Sequence, residues 1–192
     1  MTRRHRDLYE TGSAAVDALL RRVDVGYQVI EPCAGGGAIA RALVAGPGMS
    51  TNRYVYKMDI DRTHTVHAVA DASTVQVPER MRSWDVVTNP PYVDSLPLRI
   101  LENLHVRQGM RCAFLLRLSW LEPTPVGSPK RGILPRREFM RDHPPSRVIV
   151  LPRFSYTGDG KSDSVTCFWG CWGWPAAPLE IATEVGHEEV PA

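Results

Sequence analysis

Short apolar runs alternate along this chain with segments of helical periodicity, and the runs end repeatedly in glycine, proline or acid. Near the start, Thr11 or Ser13 is a natural N-cap for a helix over residues 14–22, with Val16, Leu19, Leu20 and Val23 on one face. Residues 27–30 read as a buried strand running into Glu31-Pro32-Cys33-Ala34-Gly35-Gly36-Gly37, and residues 38–44 have helical composition. Residues 54–61 form a second strand ending in acid, and residues 67–70 a third running into Asp71. A fourth run, residues 84–88, leads into Asn89-Pro90-Pro91-Tyr92. After it, Pro97 lies near the first turn of a helix carrying Leu98, Leu101 and Leu104, and residues 112–118 form a further buried strand. Residues 147–151 and 165–169 are β-rich, and the turn residues 157–161 between them are a hairpin signal. Strands alternating with helices and closed by an antiparallel hairpin predict an α/β fold, one mostly parallel sheet with helices on both faces.

Two of the loops carry chemistry. Pro90 and Pro91 fix φ near −65° and remove two backbone donors, so the segment can neither continue a central strand nor start an ordinary helix. A stiff loop results, presenting one amide, a free carbonyl and one ring. Such groups suit a planar, amino-bearing substrate: the ring stacks on its face while the oxygens accept hydrogen bonds from its NH₂ group. Strand, glycine turn and helix around residues 31–37 allow a ligand close to the backbone, as nucleotides require. The G-x-G-x-x-G dinucleotide fingerprint is not met cleanly. Glu31 at the strand end instead suits a ligand bearing an ammonium or sulfonium.

EPCAGGG followed by TNPPY resembles the class I, S-adenosylmethionine-dependent amino methyltransferases, and within them the DNA adenine-N6 branch. The resemblance covers roughly residues 9–172 and implies the Rossmann-like, seven-stranded fold of that class. It also implies S-adenosyl-L-methionine as cofactor, held by Glu31, Pro32, Cys33, Ala34, Gly35 and Gly37 of the glycine turn together with Asn89. Asp59, with Ile60 beside it, falls where the family accepts the ribose hydroxyls, and Asp71, with Ala72, where it holds the adenine ring. Asp61 is a reserve for Asp59, or a solvated loop carboxylate. Asp71 also suits a turn cap. Tyr9 and Thr11 match the aromatic-x-Thr segment of permuted members, with helix capping the competing role for Thr11. Asn89, Pro90, Pro91 and Tyr92 are the implied catalytic loop, the Asn89 oxygen and the Pro90 carbonyl accepting the target amine and Tyr92 stacking on the base. Phe154 or Tyr156 is the implied aromatic on the base's other side, unless either is a core aromatic. The ending RFSYTGDGKSDSVTCFWGCW is like that of compact adenine methyltransferases of phages and mobile elements, which favours DNA over RNA. The same loop also serves enzymes that methylate RNA amines or a glutamine amide of translation release factors, and a non-enzymatic partner subunit is a further alternative.

Composition narrows the rest. A chain of 192 residues, 43% hydrophobic and 23% charged, suits one domain, residues 1–174, with a loosely held glutamate-rich tail over residues 175–192. No apolar stretch reaches membrane-spanning length and no signal peptide opens the chain, so a cytoplasmic protein without membrane attachment is expected, as monomer or dimer. Cys33, Cys112, Cys167 and Cys171 form no C-x-x-C pair, so neither zinc nor a disulfide framework is indicated. Gly158-Asp159-Gly160-Lys161-Ser162 is a turn rather than a Walker A loop, because Ser155 stands where the first glycine belongs. Net charge is only +2, but Lys130, Arg131, Arg136 and Arg137 concentrate in the insertion over residues 121–146. That insertion is either a phosphate-contacting surface or a solvated loop.

Overall fold

The computed structural model describes residues 11–46, 52–93, 95–122, 133–153 and 165–183. Its elements follow in chain order: α1 (Ser13–Leu20), β1 (Gln28–Glu31), α2 (Ala38–Ala45), β2 (Tyr54–Asp59), β3 (Ala68–Val69), β4 (Asp85–Thr88) and α3 (Leu96–Leu101). Beyond these come β5 (Cys112–Arg117), α4 (Ile133–Asp142), β6 (Arg147–Val150), β7 (Cys167–Trp172) and β8 (Glu180–Ile181). The strands make one sheet of eight in the order β3-β2-β1-β4-β5-β7-β6-β8. β1 to β5 run parallel, whereas β7 is antiparallel to both β5 and β6.

Central parallel strands are covered on both faces, which is why β4 and β5 are nearly continuous apolar runs. Successive residues alternate between two cores: Val87 and Leu115 pack with α1 and α2, while Val86, Phe114 and Leu116 pack on the opposite face with α3. Trp169 on β7 is fully buried in the first core, and its indole N–H donates to the Ala15 carbonyl at 2.7 Å, pinning α1 to the sheet. Truncating it to alanine would cost about 3–5 kcal/mol.

Several boundaries differ from the sequence expectation. The sheet has eight strands rather than seven, because Glu180–Ile181 pairs in parallel with β6. The expected loose tail is therefore a sheet edge over part of its length, and a two-residue strand held by backbone bonds leaves no hydrophobic pattern to read. α1 takes Gly12 as its N-cap, with no side-chain cap bond, so neither Thr11 nor Ser13 performs that role. α3 widens into a π-helical segment over Glu102–Arg107. The proposed hairpin turn, residues 157–161, lies outside the described residues. Among the described residues no helix is long and apolar enough to cross a membrane.

Candidate active site

Starting from β1, the sheet grows to one side through β2 and to the other through β4, so the carboxyl ends of these neighbours flank a crevice. The order of strands thus places five loops side by side: those after β3 (Asp71), β2 (Asp59), β1 (Glu31), β4 (Asn89) and β5 (Arg117). The glycine turn and the Asn-Pro-Pro-Tyr loop, far apart in sequence, become adjacent because β1 and β4 pair directly.

Gly35 (φ 49°) and Gly37 (φ 77°) both lie in the left-handed region, which explains glycine at those positions. The turn is tied to β2 by the Gly35 amide donating to Asp59 Oδ2 at 2.8 Å and the Ala34 amide donating to the Met58 carbonyl at 2.9 Å. Asp59 Oδ1 accepts from the Asp61 amide at 2.8 Å, so each carboxylate oxygen carries one protein bond and keeps capacity for another. Ile60 beside it is 52% exposed, an apolar surface next to two acceptors. Asp61 accepts from the Thr63 amide and hydroxyl, a local turn.

Glu31 is only 1% exposed. One side of its carboxyl meets the Ala40 amide near the amino end of α2, but Oε2 has no hydrogen-bond partner among the described residues. Burial pushes this carboxyl up to about 8, against the pull of the Lys57 and Arg41 cations. Lys57 and Arg41 flank the turn: a Cβ on Gly37 would lie 3.6 Å from Lys57 Cδ and 3.7 Å from an Arg41 guanidinium nitrogen. Pro32 and Ala34 are buried, and the Cys33 thiol is enclosed, which pushes its pKa up to about 12. A thiol so placed stays protonated and unreactive.

Asp71 does cap the following turn, its Oδ1 accepting from the Ser73 amide (2.8 Å) and hydroxyl (2.7 Å), which hold the carboxyl below its ordinary value. Its Oδ2 has no hydrogen bond among the described residues, so capping leaves one oxygen with its acceptor capacity. Ala72 is buried behind this loop, with the Asn103 side-chain amide donating to its carbonyl (3.1 Å) and to that of Val75 (2.9 Å). The π-helical segment therefore braces the loop that carries Asp71.

At the Asn-Pro-Pro-Tyr loop the side chain of Asn89 is fixed from both ends. Its Nδ2 donates to the Thr11 hydroxyl at 3.1 Å, and its Oδ1 accepts from the Tyr92 hydroxyl at 2.7 Å. The same Tyr92 hydroxyl reaches the Leu115 carbonyl at 3.1 Å, anchoring the loop to β5. Because an amide oxygen has two lone pairs, Asn89 Oδ1 retains one acceptor position. Pro90 is buried and Pro91 and Tyr92 are half-buried. The Arg117 guanidinium carbon stands 4.9 Å from the Tyr92 ring centroid, a cation–π contact worth about 0.5–1 kcal/mol at a partly exposed site.

Of the residues expected to meet nucleic acid, Lys130, Arg131, Phe154 and Tyr156 lie outside the described residues, as does Tyr9 of the expected cofactor set. Arg136 stacks over Trp120 at 5.6 Å, and Arg137 is exposed on the same helix, α4, which docks through the buried Phe139. Sequence reasoning missed Arg117, Lys57, Asn103 and the hydroxyl of Tyr92. A charged residue closing an apolar strand was a signal for Arg117, while nothing local marks Asn103.

No protein-family model and no curated protein sequence matches this chain. Solved structures do match. A type I restriction-modification system methyltransferase subunit from Streptococcus thermophilus superposes with a TM-score of 0.54 at 13% identity, over 83% of this chain and 42% of that one. A modification subunit assigned to a type I restriction enzyme from Vibrio vulnificus gives 0.55 at 13% identity, over 92% and 47%. A dimethyladenosine transferase from Plasmodium falciparum gives 0.51 at 13%, over 82% and 59%. The likeness shows the Rossmann-like methyltransferase fold, and this chain spans about half the length of these structures.

Proposed function

We propose that this protein transfers a methyl group from S-adenosylmethionine to the exocyclic N6 of adenine in DNA. One observation carries the reading: a buried carboxylate oxygen with no hydrogen-bond partner among the described residues, Glu31 Oε2, on the strand paired directly with the one that presents Asn89. The donor set fits the cofactor. Glu31 matches an ammonium, Asp59 ribose hydroxyls, and Asp71 Oδ2 with Ile60 the adenine ring. When bound, S-adenosylmethionine supplies an electrophilic methyl group on a sulfonium. The chain's own task is to make a poor nucleophile react, since the lone pair of the adenine amine is delocalised into its ring. Asn89 Oδ1 and the Pro90 carbonyl accept the two N–H groups, raising electron density on nitrogen and stabilising the positive charge that develops there as the N–C bond forms and the C–S bond breaks, its electron pair staying on sulfur. One N–H proton is then released to solvent, and the Thr11 and Tyr92 bonds hold the Asn89 acceptor in place beforehand. Tyr92 offers its ring to the base, which must leave a duplex to reach the crevice. The resemblance of the two motifs, taken in order, supports DNA as the substrate.

Incubation of the protein with DNA, RNA and protein pools and isotopically labelled cofactor, followed by mass spectrometry of nucleosides and peptides, tests the reading. Label in N6-methyladenine of DNA is the expected result. Label confined to RNA or to a glutamine side chain would overturn the substrate assignment.

A further inference from the structure

Arg117 closes β5 one strand away from the catalytic loop, half-exposed, with its guanidinium over Tyr92. Unlike Arg111, at the other end of the same strand and bidentate on Asp85, Arg117 makes no side-chain hydrogen bond or ion pair among the described residues. Its N–H donors are therefore available, and a guanidinium presents them in a fork that matches a phosphate. Tyr92 meanwhile packs against the core layer carrying Phe114 and Leu116. A base stacking on the ring face that Arg117 covers needs the space that Arg117 fills.

Resting on the DNA reading above, we propose that Arg117 is a substrate-positioning residue: it covers Tyr92 in the free protein and moves onto a backbone phosphate of the extruded nucleotide as the base takes its place on the ring. The exchange is nearly balanced by design of the site. Cation–π contact is given up for base–aromatic stacking, and a charge that forms no ion pair among the described residues gains an anionic partner.

The test is binding of mixed-sequence duplex DNA by fluorescence anisotropy across a salt series, using the whole chain with cofactor present. Arg117→Gln is expected to reduce the slope of log K against log[salt] by about 0.9, the value for one lost phosphate contact. Arg117→Lys keeps the parental slope. Arg107→Gln, the same charge change at the exposed end of the π-helical segment Glu102–Arg107, also keeps it. A 2-aminopurine placed at the target position should still be quenched by Tyr92 in Arg117→Gln. Where that variant fails to fold, Arg117→Met must show the same loss of slope. An unchanged slope in Arg117→Gln, an equal loss in Arg107→Gln, or loss of the quenching each overturns the assignment. Failure of the parental protein to bind and methylate DNA would instead bring down the DNA reading, and this inference with it. Parental methylation with an unchanged Arg117→Gln slope removes Arg117 alone.

Discussion

Asp85 and Glu31 sit on paired strands, each only 1% exposed, yet at opposite ends of those strands and with opposite surroundings. Asp85, at the amino end of β4, accepts from Arg111 Nε at 2.6 Å and a second Arg111 nitrogen at 2.9 Å, and from the Gly26 amide at 2.7 Å. Burial raises its pKa, and the Gly26 amide and Arg111 pull it back. Glu31, at the carboxyl end of β1, keeps Oε2 without a hydrogen-bond partner among the described residues and is pushed up to about 8 by burial. Two equally buried acids thus do different things. A satisfied carboxylate holds the strand in place, whereas an unsatisfied one costs stability and is retained at the position where a cation would bind.

The sharpest way to break this contrast is at Asn89. Asn89→Ala should lower turnover by about 10²–10³-fold, as for the loss of one aligned transition-state hydrogen bond, with cofactor binding largely kept and a stability loss of about 1–2 kcal/mol from the Thr11 and Tyr92 bonds it removes. Turnover at the parental rate would end the catalytic assignment. Asp85→Ala is the complementary case. Removing one partner of a fully buried pair costs about 3–5 kcal/mol, and with the Arg111 side chain 41% exposed the expected loss is about 2–3 kcal/mol. Urea unfolding measures it, and activity per folded molecule should persist.

Glu31→Gln should weaken cofactor binding by about 10–100-fold in calorimetry, the scale of a lost charge-assisted hydrogen bond. It should also remove a pH dependence of stability. With its pKa raised from 4.5 to about 8, the folded carboxyl holds a proton that the unfolded chain has already released. Parental stability therefore falls as pH rises through that window and levels off above about 8. The Gln variant should lack this slope, and an identical slope in both proteins would mean that Glu31 is not the group responsible. Smallest in effect is Thr11→Val, which leaves the Asn89 Nδ2 donor without its acceptor. A loss of about 1 kcal/mol in stability is expected, with a fall in kcat larger than any change in cofactor affinity. Tyr92→Phe probes the other anchor of the same amide, and a fall in kcat with base stacking preserved would separate the hydroxyl from the ring.

Much of the fold was legible because its signals are local. Pro90 and Pro91 stop β4 wherever they occur, Gly35 and Gly37 permit a turn that other residues resist, and the apolar runs 84–88 and 112–118 locate two central strands. β8 was illegible because two residues paired through their backbones leave no periodicity. Thr11 was read as a cap or a cofactor contact because its neighbours allow both, but its hydroxyl meets an amide 78 residues away.

The sequence by itself determined the kind of fold, the positions of the glycine turn and the Asn-Pro-Pro-Tyr loop, and the acids that end β1 and β2, since each depends on backbone preferences of residues adjacent in the chain. Only the tertiary structure decided which buried acid lacks a partner among the described residues, what fixes the Asn89 amide, and which cation covers Tyr92. These depend on strand order, which sets who stands beside whom across the sheet, and no residue's local preferences encode the partner it is denied.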